Sequence, residues 1–164
     1  KDTPKLTEKA RTIEDLVNRA ITSASHLAHR LRPGFLDCFG IIAAIEIEAQ
    51  EFSKRSGISC TIIKSQESIE LPEAYSITLF RVCQEALSNI MYHAEASNVV
   101  VSIKEGNGKI CLTITDDGKG FYPDQHKQSS GLTRIRERAA SINGELTIQS
   151  EPGKGTTVCV CITK

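Results

Sequence analysis

Two sets of polar residues in this sequence could do chemistry together. Arg81, Glu85, Asn89 and His93 recur at every fourth position of a segment whose other positions are apolar, and Asp116-Asp117-Gly118-Lys119-Gly120-Phe121 closes the apolar run Lys109-Ile110-Cys111-Leu112-Thr113-Ile114-Thr115. Spacing by four on a helix makes a single stripe. Such stripes are usually solvated, and an Arg81–Glu85 pair accounts for part of this one. Asn89, however, is a poor helix former, and its amide oxygen one turn from a carboxylate is an oxygen donor set suited to Mg²⁺. His93 could bind a phosphate or complement the helix dipole. The second set is a strand that delivers a carboxylate into a turn with two glycines, which places an acceptor beside bare backbone. Taken alone, Asp-Asp-Gly is also ordinary turn chemistry.

The elements that must position these residues follow from periodicity. Leu6, Ile13, Leu16, Val17, Ala20, Ala24, Leu27 and Leu31 predict a long amphipathic helix that starts at Thr3-Pro4 and stops near Arg32-Pro33-Gly34. Its apolar stripe needs a partner, either a second helix in a hairpin or dimer or the chain's own domain. A second helix is predicted over 37–56, with Phe39, Ile42, Ile45, Ala49 and Phe52 on its apolar side and Gly57 closing it. A strand over 58–63 leads to a central helix over 72–94, whose apolar face is Leu79, Val82, Cys83, Ala86, Leu87 and Ile90. Strands over 98–104 and 109–115 flank the hairpin turn Glu105-Gly106-Asn107-Gly108. Residues 122–130 are polar and read as a mobile loop, Gly131-Leu132 opens a helix to about Ile142, and strands over 145–150 and 156–163 end the chain. This order predicts an α/β fold: a two-layer sandwich with a mixed sheet covered on one face by helices, preceded by one long helix.

Composition bounds what this fold can do. With 164 residues, 40% hydrophobic and 24% charged, there is material for one sizeable core. Lys plus Arg and Asp plus Glu both total 20, so no overall field favours nucleic acid or an anionic membrane, and any anion site must be local. The six cysteines never form C-x-x-C and read as reduced core residues of a cytosolic protein, without zinc. Ile41-Ile42-Ala43-Ala44-Ile45 is cut off by Glu46 and Glu48 far short of a membrane span. No signal peptide is legible, and a chain that begins at Lys1 reads as a piece of a longer protein. A Glu/Asn helix, an Asp-x-Gly-x-Gly turn, a polar loop and a helix N-terminus are together the parts of an ATP site that is not a Walker loop.

Here the sequence resembles a known family. Gln84-Glu85-Ala86-Leu87-Ser88-Asn89 with His93-Ala94 resembles the N box of the histidine-kinase ATPase (Bergerat-type) domain, Asp116-Asp117-Gly118-Lys119-Gly120-Phe121 its G1 box, and Gly131-Leu132 with Arg136-Glu137-Arg138-Ala139 its G2 region. Leu31-Arg32-Pro33, Leu36-Asp37, Gly40 and Gly153-Lys154-Gly155-Thr156-Thr157 resemble the subgroup of sensor kinases that pair with nitrate-response-type regulators. The resemblance implies ATP and Mg²⁺ as cofactors, with Asn89 on the metal and Glu85 polarising the attacking group or a metal-bound water. Asp116 would accept the adenine amino group, Gly118 and Gly120 would keep backbone close to the base, and the amides of Gly131 and Leu132 would face the phosphates beneath a 122–130 lid, with His93 nearby. Thr157 would reach adenine through a water, although strand alternation puts it opposite Val158, Val160 and Ile162, so that a bulge or twist is needed.

Two departures stand out. Asp117 occupies a position where the family more commonly has Asn, which adds negative charge near the nucleotide. The family's phosphoacceptor histidine lies on the first helix of a dimerisation hairpin, followed by an acid, whereas His26 and His29 lie on the second helix and lack that acid. Residues 1–33 therefore read as the second hairpin helix and 34–164 as the ATP-binding catalytic domain. The implied partner is a response regulator receiver domain, in a homodimeric full-length protein, cytoplasmic here, with no nucleic acid and no membrane contact. Two rival readings keep the same fold: an anti-sigma-factor-type serine kinase and a non-catalytic nucleotide-sensing module.

Overall fold

The computed structural model describes residues 34–123 and 130–164. The predicted helix over 1–33, His26 and His29, and most of the predicted lid lie outside the described residues. Those from Leu36 onward form one compact unit. In chain order the elements are α1 (Gly34–Ser56), β1 (Ser59–Lys64), α2 (Glu73–Asn89), a π-helical turn (Ile90–Ala94), β2 (Asn98–Gly106), β3 (Lys109–Asp116), α3 (Ser130–Ser141), β4 (Glu145–Ser150) and β5 (Thr156–Thr163).

The five strands make one sheet in the order β1-β2-β3-β5-β4, with β1 parallel to β2 and the other neighbours antiparallel. The parallel step needs a crossover, and α2 supplies it. Asn107 and Gly108, both at positive φ, form the two-residue turn between β2 and β3. Along β3, buried and half-buried residues alternate strictly, so Ile110, Leu112, Ile114 and Asp116 share one face. That face joins Phe80, Leu87 and Ile135 of the helices and Ile45 and Phe52 of α1 in one core. The predicted two-layer sandwich is the observed architecture.

Three local expectations are corrected. Phe39 is 66% exposed, not part of the apolar side of α1, because Gly40 at φ 77° kinks the helix and ends the periodicity that begins at Ile41. The central helix is not α-helical to Ala94: its regular part ends at Asn89 and a π-turn follows. The cysteines are not all reduced core residues. Cys83 is buried and desolvation pushes its thiol up, and burial raises Cys60 to about 11. Cys111 and Cys161, however, are directly opposite on β3 and β5, on the uncovered face, and are joined by a disulfide.

A bridge between residues 50 apart in sequence constrains a long loop of the unfolded chain. Reduction, or Cys161→Ser, is expected to cost about 2–4 kcal/mol of unfolding free energy. Denaturant titrations with and without a reductant check this: an unchanged wild-type midpoint under reduction contradicts the bridge.

Candidate functional site

A cavity of about 680 Å³ opens between α2, the end of β3, the start of β5 and the N-terminus of α3. At one end stands Asp116, only 5% exposed. A carboxylate taken out of water needs donors, and the amides of Gly118 (2.9 Å) and Thr156 supply them. Burial still wins: the Asp116 carboxyl lies above the ordinary aspartate value, with the two amides pulling it back down and the Asp117 charge adding to the rise.

The turn after Asp116 is fixed by close backbone contacts. A Cβ on Gly118 would collide with the Ala94 carbonyl, and one on Gly120, at φ 59°, with the Glu151 carbonyl. The Lys119 amide donates to the Ala94 carbonyl at 2.7 Å, while the Lys119 carbonyl accepts from the Gly153 amide at 2.6 Å. Asp117 points out of the cavity. Its Oδ1 accepts the amides of Ser97 and Asn98, each at 2.8 Å, and its Oδ2 accepts from Asn98 Nδ2 at 2.8 Å. These bonds hold its carboxyl below the ordinary range. The expected extra charge at the ligand is thus spent in tying β3 to the start of β2.

Across the cavity, α2 presents Glu85 and Asn89. The Asn89 Nδ2 is buried without a hydrogen-bond partner, an exception to the rule that buried polar atoms are satisfied. Rotation of the amide by half a turn would present its oxygen instead, so this position can offer an N–H to an anion or an oxygen to a cation. A Cβ on Gly131 would come within 2.5 Å of Asn89 Oδ1 and 3.1 Å of Glu85 Oε1, so any larger residue there would push the Asn89 side chain aside. Glu85 is not paired with Arg81 of its own helix. Arg134 of α3 grips it with two bonds, Nη2 to Oε1 at 2.7 Å and Nε to Oε2 at 3.0 Å, and Arg138 Nη1 lies 3.6 Å from Oε2. The Arg81 guanidinium donates to Gln84.

Of the residues singled out in the sequence, Glu85, Asn89, His93, Asp116, Gly120, Gly131 and Leu132 line this cavity together. Gly118 lies beneath it as support for Asp116. Thr157 does not line it: β5 pairs with β3 in unbroken register, so Thr157 stays on the uncovered face and its hydroxyl bonds Thr115 Oγ1 at 3.1 Å. Its neighbour Thr156 lines the cavity instead, as the alternation with Val158 indicates. Arg134 and Lys119 were missed, although Arg134, three residues after Gly131, shares a helix face with it. Among the described residues no group of three or more His, Cys, Asp or Glu could cage a metal ion.

Residues 74–164 match the sequence profile of the family described as histidine kinase-, DNA gyrase B-, and HSP90-like ATPases. The chain is 33% identical over 156 residues to the signal transduction histidine-protein kinase/phosphatase DegS of Brevibacillus brevis, covering 94% of this chain and 40% of that protein. It is 36% identical over 152 residues to the signal transduction histidine-protein kinase/phosphatase UhpB of Salmonella typhimurium, covering 92% and 30% respectively. The chain thus spans less than half the length of these relatives. Among solved structures, the histidine kinase domain of the Erythrobacter litoralis EL346 blue-light activated kinase superposes with a TM-score of 0.63 at 21% identity, over 75% of this chain and 60% of that one. The mycobacterial sensor histidine kinase MprB gives 0.60 at 18%, over 74% and 93%. These two likenesses are of fold.

Because Asp116 has a raised pKa, the folded protein holds its proton more tightly than the unfolded chain. Its contribution therefore favours folding below the ordinary value of 3.8 and is lost as pH rises through the raised one. Asp116→Asn removes the titrating carboxyl and is expected to remove this dependence. Melting curves of both proteins between about pH 3 and 7 check it; a difference between them that does not vary with pH contradicts it.

Proposed function

Because the chain belongs to the family of histidine kinase-, DNA gyrase B-, and HSP90-like ATPases, we propose that it is the ATP-binding catalytic domain of a two-component sensor histidine kinase. In this reading it passes the γ-phosphoryl group of ATP to a histidine other than His26 and His29, on the other helix of a dimerisation hairpin, for relay to the receiver domain of a response regulator. The finer assignments belong to the same proposal: a subgroup that pairs with nitrate-response-type regulators, residues 1–33 as a hairpin helix, a homodimeric full-length protein, and a cytoplasmic location.

The observation that carries the reading is the buried, unpartnered amide of Asn89, set between Glu85 and the glycine that opens α3. Such an atom costs stability unless a ligand completes it. Asn89 would hold Mg²⁺, which when bound neutralises charge on the phosphates. Asp116 would accept the adenine amino group, with Gly118 and Gly120 keeping the backbone flush with the base and Thr156, rather than Thr157, beside it. The amides of Gly131 and Leu132 would meet the phosphates at the positive end of α3. Glu85 would accept a hydrogen bond from the attacking imidazole and orient it, so that catalysis is chiefly positioning and charge stabilisation.

With a separately supplied hairpin bearing an acid-flanked histidine and γ-labelled Mg·ATP, the wild type is expected to label that histidine. Asn89→Ala should lower the rate by about a hundredfold or more. Full labelling by the variant overturns the metal assignment. Labelled serine on a partner would instead support an anti-sigma-type kinase, and nucleotide binding without any transfer a sensing module.

A further inference from the structure

Arg134 has no role in the reading above, yet it holds the residue on which that reading places the chemistry. Both oxygens of Glu85 serve its guanidinium, at 2.7 and 3.0 Å. We infer that Arg134 is a polyphosphate-binding residue held in reserve by Glu85, so that entry of the nucleotide's phosphates draws the guanidinium away and releases the Glu85 carboxylate. This rests on the cavity being a nucleotide site.

Four observations support the exchange. The two partners differ in freedom: the Glu85 side chain is 12% exposed on a helix whose other side is core, whereas that of Arg134 is 51% exposed. The arginine is thus the partner able to move, and water screening keeps the pair exchangeable. Arg134 also stands one turn into α3, on the face of Gly131, and both residues line the cavity with Asn89. Of the two lysine or arginine side chains among the described lining residues, Lys119 belongs to the turn three residues after Asp116, where it pairs with Glu95 at 2.7 Å, whereas Arg134 stands on α3 three residues after Gly131. Arg134 is therefore the cation available at the phosphate end.

The chemistry of the fork fits both partners. A guanidinium that binds two carboxylate oxygens side by side can bind two phosphate oxygens in the same way, and a polyphosphate carries more charge than a carboxylate. Finally, Glu85 is not stranded when Arg134 leaves. Arg138 Nη1 remains 3.6 Å away, itself anchored to the Arg81 carbonyl at 3.1 Å, so the half-buried carboxylate keeps a positive neighbour. The exchange couples the arrival of phosphate to the freeing of the group that must orient the attacking imidazole.

The test is a double-mutant cycle read by calorimetric binding of adenosine, Mg·ADP and a non-hydrolysable Mg·ATP analogue to the wild type, Arg134→Ala, Glu85→Gln and the double variant. Arg134→Ala is expected to weaken the ATP analogue by about tenfold or more and leave adenosine unchanged, with Arg134→Lys recovering part of the loss. Glu85→Gln should tighten the analogue several-fold only while Arg134 is present. The inference is overturned if Arg134→Ala leaves the analogue's affinity unchanged, if it weakens adenosine equally, or if the tightening by Glu85→Gln survives without Arg134. A wild type that binds none of the three ligands overturns the nucleotide reading itself, and this inference with it. Melting curves of all four proteins separate loss of binding from loss of fold.

Discussion

A carboxylate withdrawn from water has to be answered by hydrogen-bond donors, and at Asp116 that requirement organises the surrounding chain. The donors are backbone amides of Gly118 and Thr156, so the chain must turn back on itself at once and β5 must run beside the end of β3. Turning so tightly leaves no room for side chains. A Cβ on Gly118 would strike Ala94 and Asp116, one on Gly120 would strike Glu151, and one on Gly155, at φ 74°, would strike the Asp116 carbonyl. The glycines of the two turns thus interlock, and Ser150 completes the join by accepting the Phe121 amide at 2.9 Å. The result is an acceptor held against a bare backbone wall.

Much of this was legible in the sequence because it depends on local chemistry. Strict alternation in 109–116 sets the buried face of β3, Asn107-Gly108 demands a hairpin, and a carboxylate followed by two glycines marks a tight turn. What was not legible depends on contacts between elements. Nothing in the sequence tells Asp117 from a second ligand-facing acid; only the arrival of Ser97 and Asn98 beside it reveals a tie between strands. Thr157 was drawn toward the site by resemblance, against the alternation, and the unbroken β3–β5 register decides for the alternation. The disulfide is of the same kind: Cys111 and Cys161 lie 50 residues apart, and only strand register sets them face to face.

The helical layer shows the same division. Spacing by four placed Arg81, Glu85, Asn89 and His93 on one stripe and suggested that Arg81 and Glu85 neutralise each other. An in-helix pair is a weak attraction, however, and a partner that reaches across with two donors competes well against it. Glu85 accordingly turns to Arg134 and Arg138, and the bond that might have been local becomes a tie between α2 and α3.

The π-turn at Ile90–Ala94 connects the two halves of the site. The turn Ile90–Ala94 is π-helical; Ile90 within it is buried, and His93, exposed, still lines the cavity with Asn89. Glu95, in the left-handed region, then ends the helix abruptly. A helix end leaves carbonyls without partners, and the one at Ala94 is the acceptor of the Lys119 amide. The end of the helix at Ala94 therefore supplies the atom to which the Asp116 turn is fastened, which ties the helical layer to the end of β3.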